Sequence, residues 1–173
     1  MKLEKFSERA RACLQSAQTK ALGEGHQRLT AEHLLKVIID DREGLAANLI
    51  QSAGGDPARA KARVEEELAK LPKVSGGGAG QLSLDPGLAR VFTQAEKLAE
   101  KAGDSFVTVE RLLLAIALDK STGAGKALAE AGVAPQALNS AVEALRKGRT
   151  ADTANAEAGY DALKKYARDL TQA

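Results

Sequence analysis

The chain has 173 residues, of which 44% are hydrophobic and 3% aromatic, and this composition without tryptophan favours close-packed helices over a β-sandwich. Its 25 basic and 23 acidic residues are mixed along the chain and leave a net charge of +2, which, with so few aromatic residues, gives none of the usual signatures of a nucleic-acid-binding protein. The charged N-terminus does not fit a signal peptide and no apolar run is long enough for a bilayer, so we expect a cytoplasmic protein with no membrane partner.

An internal repeat organises the sequence. When the chain is shifted along itself so that Thr30 falls on Thr108, TAEHLLKVI falls on TVERLLLAI. The same shift, without a gap, pairs Pro57 with Pro135, and we call it the repeat shift. One constant offset over both halves predicts two copies of the same structural unit.

Each copy predicts four helices. The first helix carries an apolar stripe with a 3.6-residue period and ends at a glycine-containing turn. Thr30 and Thr108 occupy the N-cap positions of the second helices, where a hydroxyl accepts a backbone hydrogen bond. A short third helix ends at Gly54 in one copy and at Gly132 in the other, and a proline then opens the fourth helix. The predicted fold is therefore all-α, with eight helices in two pseudo-symmetric four-helix repeats.

The two copies differ on the second helix. Lys36 and Asp40 of the first copy correspond to Leu114 and Leu118 of the second, which makes the helix of repeat two apolar on nearly all sides. Because such a helix is usually buried, we expect Leu114 and Leu118 to pack against the other half, and the two halves to form one globule.

These patterns divide the chain into a domain and a linker. We assign repeat one to residues 1–73, a glycine-rich connector to 74–82 and repeat two to 83–147, so that the domain covers 1–147. Residues 148–159 are small and polar with no apolar period, which predicts a flexible linker.

No group of residues in the sequence supports catalysis. The stretch STGAGKALAE has Lys120 and Ala127 at the positions where a phosphate-binding loop requires Gly and then Ser or Thr. His26 and His33 have no acid, serine or cysteine partner fixed by spacing, and the single cysteine, Cys13, is predicted to pack in a helix rather than bind a metal with them. We therefore predict no catalytic, cofactor-binding or metal-binding residue, and no enzymatic activity, for this chain.

The motifs FSERA, TAEHLL, GDSFVTVERLLLAI and AGVAP follow one another along the two repeats. In this order they resemble the N-terminal domain of the Clp family of AAA+ unfoldases, and most closely its disaggregase branch. The resemblance covers residues 1–147. Residues 160–173, which include ALKKYARDLT, resemble the lead-in to the first AAA+ module, so we expect the chain to be a fragment of a longer protein.

The resemblance implies a mobile domain on a homohexameric ring, which engages unfolded or aggregated polypeptides, helps deliver them to the pore and cooperates with the DnaK chaperone system. It implies no cofactor in this domain, because ATP and Mg²⁺ belong to the ATPase modules, and we expect the fragment to be a monomer. Two alternatives stay open: adaptor docking, as in the related ClpA and ClpC, and a structural domain that regulates the ATPase activity of the ring.

The resemblance also implies an apolar peptide groove with a polar edge. The polar positions correspond to Ser7, Asp104 and Glu110, although a helix cap, a turn and a helix dipole would also explain these residues. Gln94 and Arg111 stand where some relatives place apolar groove residues. The predicted substrate-binding residues are, in chain order, Ser7, Phe92, Leu98, Asp104, Phe106, Val107, Glu110 and Arg111.

Overall fold

The computed structural model describes residues 3–74 and 82–157. Within them lie eight α-helices, a 3-10 turn over Leu3–Lys5 and two short strands, β1 (Arg28–Leu29) and β2 (Ser83–Leu84). The helices are α1 (Glu8–Gly23), α2 (Ala31–Ile39), α3 (Leu45–Ser52), α4 (Pro57–Ala69), α5 (Pro86–Lys101), α6 (Val109–Leu118), α7 (Gly123–Glu130) and α8 (Pro135–Arg146). The predicted all-α fold with two four-helix repeats is confirmed.

Two predicted segments fall mainly or wholly outside this part of the chain. Most of the connector 74–82 and all of the lead-in 160–173 lie beyond the described residues. In the part that is described, no helix is both long and apolar enough to cross a membrane.

The repeat shift carries the first residue of each helix in repeat one onto the first residue of its counterpart in repeat two, at positions 8 and 86, 31 and 109, 45 and 123, and 57 and 135. Local capping explains this regularity. The Thr30 hydroxyl accepts a backbone hydrogen bond in the first turn of α2, and Pro57 and Pro135 stand in the first turns of α4 and α8. Gly54 and Gly132 take the left-handed conformation just after α3 and α7, with φ of +87° and +88°.

Two parallel backbone pairings, which the sequence patterns did not indicate, join the repeats. β1 pairs with β2 so that Leu29 lies opposite Leu84, and Phe6 forms an isolated parallel bridge with Val107. The repeat shift relates the two pairings, because it carries Leu29 to Val107 and Phe6 to Leu84. In each pairing, a residue ahead of the first helix of one repeat meets a residue ahead of the second helix of the other. Each repeat therefore supplies a backbone partner for the other.

One hydrophobic core spans both repeats. It includes Leu34 and Leu35 of α2 and Leu112 and Leu113 of α6, all of them fully buried. α2 contacts α6, while α3 packs against α8 and α4 packs against α7. Because these contacts cross from one repeat to the other, the two halves form one globule, as predicted.

The apolar helix α6 does not bury every leucine. Leu114 is buried, as predicted, with 2% of its surface exposed. Leu118 is 44% exposed, so the prediction of its burial is wrong. Leu118 is the last residue of α6, and its side chain lies at an open groove beside α8 rather than in the interior between the repeats.

The glycine- and lysine-containing stretch STGAGKALAE packs α7 against the end of α6. Thr122 is the N-cap of α7, and its hydroxyl accepts a hydrogen bond from the N–H of Gly125 at 2.9 Å. A Cβ atom at Gly125 would lie 2.0 Å from the carbonyl oxygen of Asp119. Glycine is therefore required here for the close approach of two backbones.

We expect Gly125→Ala to destabilise the domain, because the added methyl group must displace backbone atoms. The free energy of unfolding should fall by about 2 kcal/mol or more, measured by urea denaturation with circular dichroism. Gly23→Ala in α1 is the matched control, since nothing lies within 4 Å of a Cβ there, and it should be neutral or stabilise by up to about 1 kcal/mol. Equal stabilities of the two variants would contradict the packing role of Gly125.

Candidate functional site

A buried ion cluster centred on Arg146 joins the end of α8 to the start of α6. Arg146 is 1% exposed, and its guanidinium donates to both carboxylate oxygens of Asp104, at 2.7 and 2.9 Å. It also donates to Glu110 Oε1 at 2.8 Å and to the hydroxyl of Thr108 at 3.0 Å. We call these four residues the Arg146 cluster. Two of them, Asp104 and Glu110, are residues predicted for the edge of a peptide groove.

Hydrogen bonds keep Asp104 ionised although its side chain is fully buried. Burial by itself would raise the pKa of this carboxyl, but hydrogen bonds from Arg146, from the backbone N–H of Ala151 and from Arg111 hold its pKa below the usual range. Because the folded pKa is depressed, the stability that Asp104 contributes is present above its ordinary pKa of about 4 and is lost as the pH falls through the lower folded value. At neutral pH the carboxylate is therefore charged and depends on the cation beside it.

Ser7 and Glu157 form a second buried contact near the Arg146 cluster. The Ser7 hydroxyl accepts a hydrogen bond from the N–H of Ala10, which caps α1, and donates one to Glu157 Oε2 at 2.6 Å. The backbone N–H of Val109, at the start of α6, donates to the same carboxylate oxygen at 2.9 Å. Sequence patterns missed Glu157, since nothing in them distinguishes it from the exposed Asp152 in the same small polar stretch.

Two carboxylates in this region keep one oxygen each without a hydrogen-bond partner among the described residues. They are Glu110 Oε2 and Glu157 Oε1. Burial, followed by the charge of Glu110, raises the pKa of Glu157. Both oxygens are buried, so a donor could reach them only if the surrounding contacts opened.

An open groove of about 400 Å³ lies between α5, α6 and α8. Its apolar lining consists of Leu98, Leu114, Leu118, Pro135 and Ala102, and its polar lining of Lys101, Arg111, Gln136, Asn139 and Glu143. We call it the α5–α6–α8 groove. Leu98 and Arg111 are the two predicted binding residues that it brings together.

Arg111 connects the α5–α6–α8 groove to the Arg146 cluster. Its Nε donates to Asp104 Oδ2 at 3.2 Å, and its Nη1 lies 3.7 Å from a carboxylate oxygen of Glu143. Only 5% of its side chain is exposed. The charge of Arg111 is thus compensated by two acids, so the cation does not make the groove strongly basic.

The corresponding surface of repeat one carries charged side chains, and a groove of about 380 Å³ there includes Lys20, Lys36 and Asp40 in its lining. Lys36 pairs with Asp40 on α2 and lies 3.2 Å from Glu65 of α4, while Lys61 lies 3.2 Å from Asp40. Under the repeat shift, Lys36, Asp40, Lys61 and Glu65 correspond to Leu114, Leu118, Asn139 and Glu143. The same backbone arrangement therefore carries a salt-bridge network in one repeat and an apolar groove in the other.

Six of the eight predicted residues lie outside the groove lining, and three of these six are neither in the Arg146 cluster nor in the contact of Ser7 with Glu157. Phe92 is 4% exposed and belongs to the core, where its ring centroid is 5.4 Å from that of Phe6. Val107 is buried in the bridge to Phe6. Phe106 is half-buried, and its N–H donates to the carbonyl oxygen of Ala151 at 3.2 Å. The predicted set is thus divided among the groove, the core and the region of the Arg146 cluster.

The fold brings together three possible metal ligands that sequence spacing did not connect. One ligand atom from each of Glu24, His26 and His33 lies within 4.8 Å of the others. His26 Nδ1 and His33 Nε2 are 2.7 Å apart, a hydrogen-bond distance, whereas two nitrogens bound to one tetrahedral zinc would be about 3.3 Å apart. His33 Nδ1 accepts a further hydrogen bond from the N–H of Thr30. The histidines therefore form a hydrogen-bonded pair, and His33 also takes part in the cap of α2.

Comparison with known proteins identifies the family. A family model, the Clp repeat (R) N-terminal domain, matches residues 5–131, which is more than half of the chain. The chain belongs to the Clp N-terminal domain family. The resemblance found in the motifs is thereby confirmed.

Relatives of this Clp N-terminal domain are named chaperone protein ClpB. The chain is 62% identical over 173 residues to the protein of Rhodopseudomonas palustris and 60% identical over 171 residues to that of Rhizobium meliloti. These matches cover 100% and 99% of the chain but 20% of each relative, so the chain spans about a fifth of their length.

A solved structure of the Hsp104 N-terminal domain from Candida albicans has the same fold. It matches with a TM-score of 0.76 and covers 88% of this chain and 98% of that chain. With 22% sequence identity, the likeness shows that the arrangement of helices is shared.

The Arg146 cluster predicts a large loss of stability when its cation is removed. Arg146→Met leaves the charges of Asp104 and Glu110 buried without their partner, which should lower the free energy of unfolding by about 3–5 kcal/mol. Arg11→Met, at an exposed position of α1, is the control and should change it by less than about 0.5 kcal/mol. Urea denaturation of both variants gives the comparison, and a small effect at Arg146 would show that the cluster does not stabilise the fold.

The histidine pair predicts that mild acid destabilises the domain. Burial, followed by the proximity of His26, lowers the pKa of His33 from 6.5 to about 4. Because the unfolded chain takes up this proton at a higher pH than the folded domain does, the free energy of unfolding should decrease as the pH falls from about 6.5 to about 4. Urea denaturation at several pH values in this window measures the slope. The slope should be smaller in His33→Gln, and an unchanged slope would assign the effect to other groups.

Proposed function

We propose that this Clp N-terminal domain binds unfolded or aggregated polypeptides in the α5–α6–α8 groove, as the substrate-engaging domain of an ATP-dependent protein disaggregase. The observation that carries the proposal is the difference between the repeats. Leu114 and Leu118 give the groove of repeat two an apolar lining at the place where Lys36 and Asp40 form ion pairs in repeat one. Relatives about 60% identical are named chaperones, which supports a role in handling polypeptides.

An apolar groove suits unfolded chains because they expose side chains that folded proteins bury. Each 100 Å² of apolar surface that leaves water contributes about 2.5 kcal/mol before the cost of ordering the bound segment. A groove of about 400 Å³ accommodates only a short segment, so binding should be weak and tolerant of sequence. We expect a dissociation constant of about micromolar or above, with avidity gained where several copies act on one assembly.

In this proposal Leu98 and Leu118 supply the apolar contacts, while Arg111 lies at the polar edge of the groove. Ser7, Asp104 and Glu110 remain proposed contacts in the region of the Arg146 cluster, which Arg111 connects to the groove. In the structure all three are occupied by hydrogen bonds within the chain. A bound segment would reach them only after these contacts open.

The other three predicted residues have an indirect role in the proposal. Phe92 and Val107 are buried, and Phe106 is half-buried. We propose that they support the backbone beneath the groove and that a bound polypeptide touches Phe106 alone among them.

The assembly that contains this domain is also a proposal, since the chain spans only 20% of the relatives' length. We propose a cytoplasmic homohexameric ring, whose ATPase modules bind ATP and Mg²⁺ and which cooperates with the DnaK system. The domain itself is a monomer without enzymatic activity, and residues 148–159 connect it to the ring as a linker.

The decisive test is a titration of the 173-residue chain with a permanently unfolded polypeptide, reduced and carboxymethylated lactalbumin, followed by amide NMR. We expect shifts near Leu98, Arg111 and Leu118. Leu118→Ala should weaken binding by about fivefold or more, because each buried methylene contributes about 0.8 kcal/mol. Leu22→Ala is the matched control, since Leu22 of α1 is similarly exposed, at 42%, and does not line the groove, so this variant should bind as tightly as the unchanged chain.

The alternatives give different outcomes in the same test. An absence of shifts at millimolar polypeptide would reject the groove as a polypeptide site. Binding of a defined adaptor would then favour adaptor docking. If deletion of residues 1–147 from the longer protein changed its ATPase rate without changing substrate capture, a regulatory domain would be favoured.

A further inference from the structure

Residues 150–157 lie across the face that carries Ser7 and the Arg146 cluster. Backbone N–H groups of Ser105 and Phe106 both donate to the carbonyl oxygen of Ala151, at 2.9 and 3.2 Å. The N–H of Ala151 donates to Asp104 Oδ1 at 2.9 Å. The segment thus begins with hydrogen bonds in both directions to the turn after α5.

The far end of the segment is held at the starts of two helices. The carbonyl oxygen of Ala154 accepts a hydrogen bond from the N–H of Glu8, in the first turn of α1, at 2.6 Å. Glu157 accepts from the hydroxyl of Ser7 and from the N–H of Val109 with one carboxylate oxygen. A carboxylate suits this place because it faces the positive ends of α1 and α6.

Only the ends of the segment are buried. Ala151 is 0% exposed and Glu157 is 1% exposed, whereas Asp152, Thr153 and Asn155 between them are exposed. The segment therefore buries little apolar surface, and polar contacts hold it in place. Segments with few apolar contacts are those that open locally at low free energy while the rest of a domain stays folded.

The segment also covers residues proposed to touch a substrate. Glu157 of the segment accepts a hydrogen bond from the Ser7 hydroxyl, and the N–H of Ala151 donates to one carboxylate oxygen of Asp104. Besides being buried, the Glu157 carboxyl lies close enough to Glu110 for the charge of Glu110 to raise the pKa of Glu157. The groups that donate hydrogen bonds to the segment are backbone N–H groups and the Ser7 hydroxyl. The same donors could bind another extended polypeptide that places an acidic side chain where Glu157 lies.

We propose that residues 150–157 form a releasable clasp, which covers the face of Ser7 and the Arg146 cluster and competes there with extended polypeptides that carry an acidic side chain. This inference rests on the proposed function for the identity of the competitor. Release of the clasp has a second effect, because its eight residues then lengthen the linker by up to about 26 Å at about 3.3 Å per residue. The clasp thus sets both access to the face and the reach of the domain.

The test compares the 173-residue chain with Glu157→Ala and with Asp152→Ala, which removes the same charge from an exposed position of the same segment. Amide hydrogen exchange by NMR measures how often the clasp opens. The N–H groups of Glu8, Ser105, Phe106 and Val109 donate to the clasp and exchange when it opens, and core amides of α6 are the internal reference. Titration with reduced and carboxymethylated lactalbumin reports competition.

The proposal expects Glu157→Ala to accelerate exchange at the four clasp amides about tenfold or more while core amides stay unchanged. The same variant should bind the polypeptide about tenfold more tightly, since a site that is open about a tenth of the time loses that factor in apparent affinity. Asp152→Ala should change neither property.

Three results would overturn the proposal. Unchanged exchange in Glu157→Ala would show that this residue does not hold the segment, and faster exchange throughout the core would show that the segment is an inseparable part of the domain. Faster exchange at the clasp amides without tighter binding would exclude competition. In that case, polypeptide-induced shifts near Leu118 would show that the proposed function stands, and their absence at millimolar polypeptide would show that both proposals fail.

Discussion

The side chain of Arg146 is the contact on which the second repeat depends. It lies at the end of α8, yet it hydrogen-bonds the turn after α5 through Asp104 and the start of α6 through Glu110 and Thr108. A buried cation is stable only where acceptors surround it, and buried carboxylates need such a cation in return. The end of α8 is therefore held against the turn and the helix start that lie 36 to 42 residues before it, beside the α5–α6–α8 groove.

The two repeats show how one backbone can serve two purposes. Helices begin at equivalent positions in both, and both take part in the same pair of parallel bridges. The second helices differ in their side chains, because Lys36 and Asp40 form ion pairs where repeat two has the buried Leu114 and the exposed Leu118. Charged side chains are well solvated on such a surface, whereas a groove lined by several apolar side chains offers area that a bound chain can bury.

The groove and the clasp differ in the kind of interaction that they make. Apolar contacts in the groove are non-directional and tolerate many sequences. The clasp is held by hydrogen bonds of defined direction to backbone N–H groups and to the Ser7 hydroxyl, which favour an extended chain and an acidic side chain. Arg111 belongs to both regions, because it lines the groove and bonds Asp104, which in turn accepts from Ala151. The two regions thus share a continuous set of polar contacts.

The sequence by itself determined the local elements of this protein. The constant repeat shift, the threonine caps, the opening prolines and the glycines with positive φ are signals that act within a few residues, so the eight helices and several of their ends could be predicted. Leu98 and Arg111 were predicted to bind substrate, and both line the α5–α6–α8 groove, whose binding of polypeptides is a proposal. None of these signals depends on which distant residue lies nearby.

Tertiary structure alone decided the remaining features, because each joins residues far apart in the chain. The bridge between Phe6 and Val107, the convergence of Asp104 and Glu110 on Arg146, and the burial of Glu157 leave no periodic pattern in the sequence. The exposure of Leu118 was also beyond prediction. An all-round apolar helix is normally buried, and only the packing of α5 and α8 around the end of α6 shows that one of its leucines faces solvent.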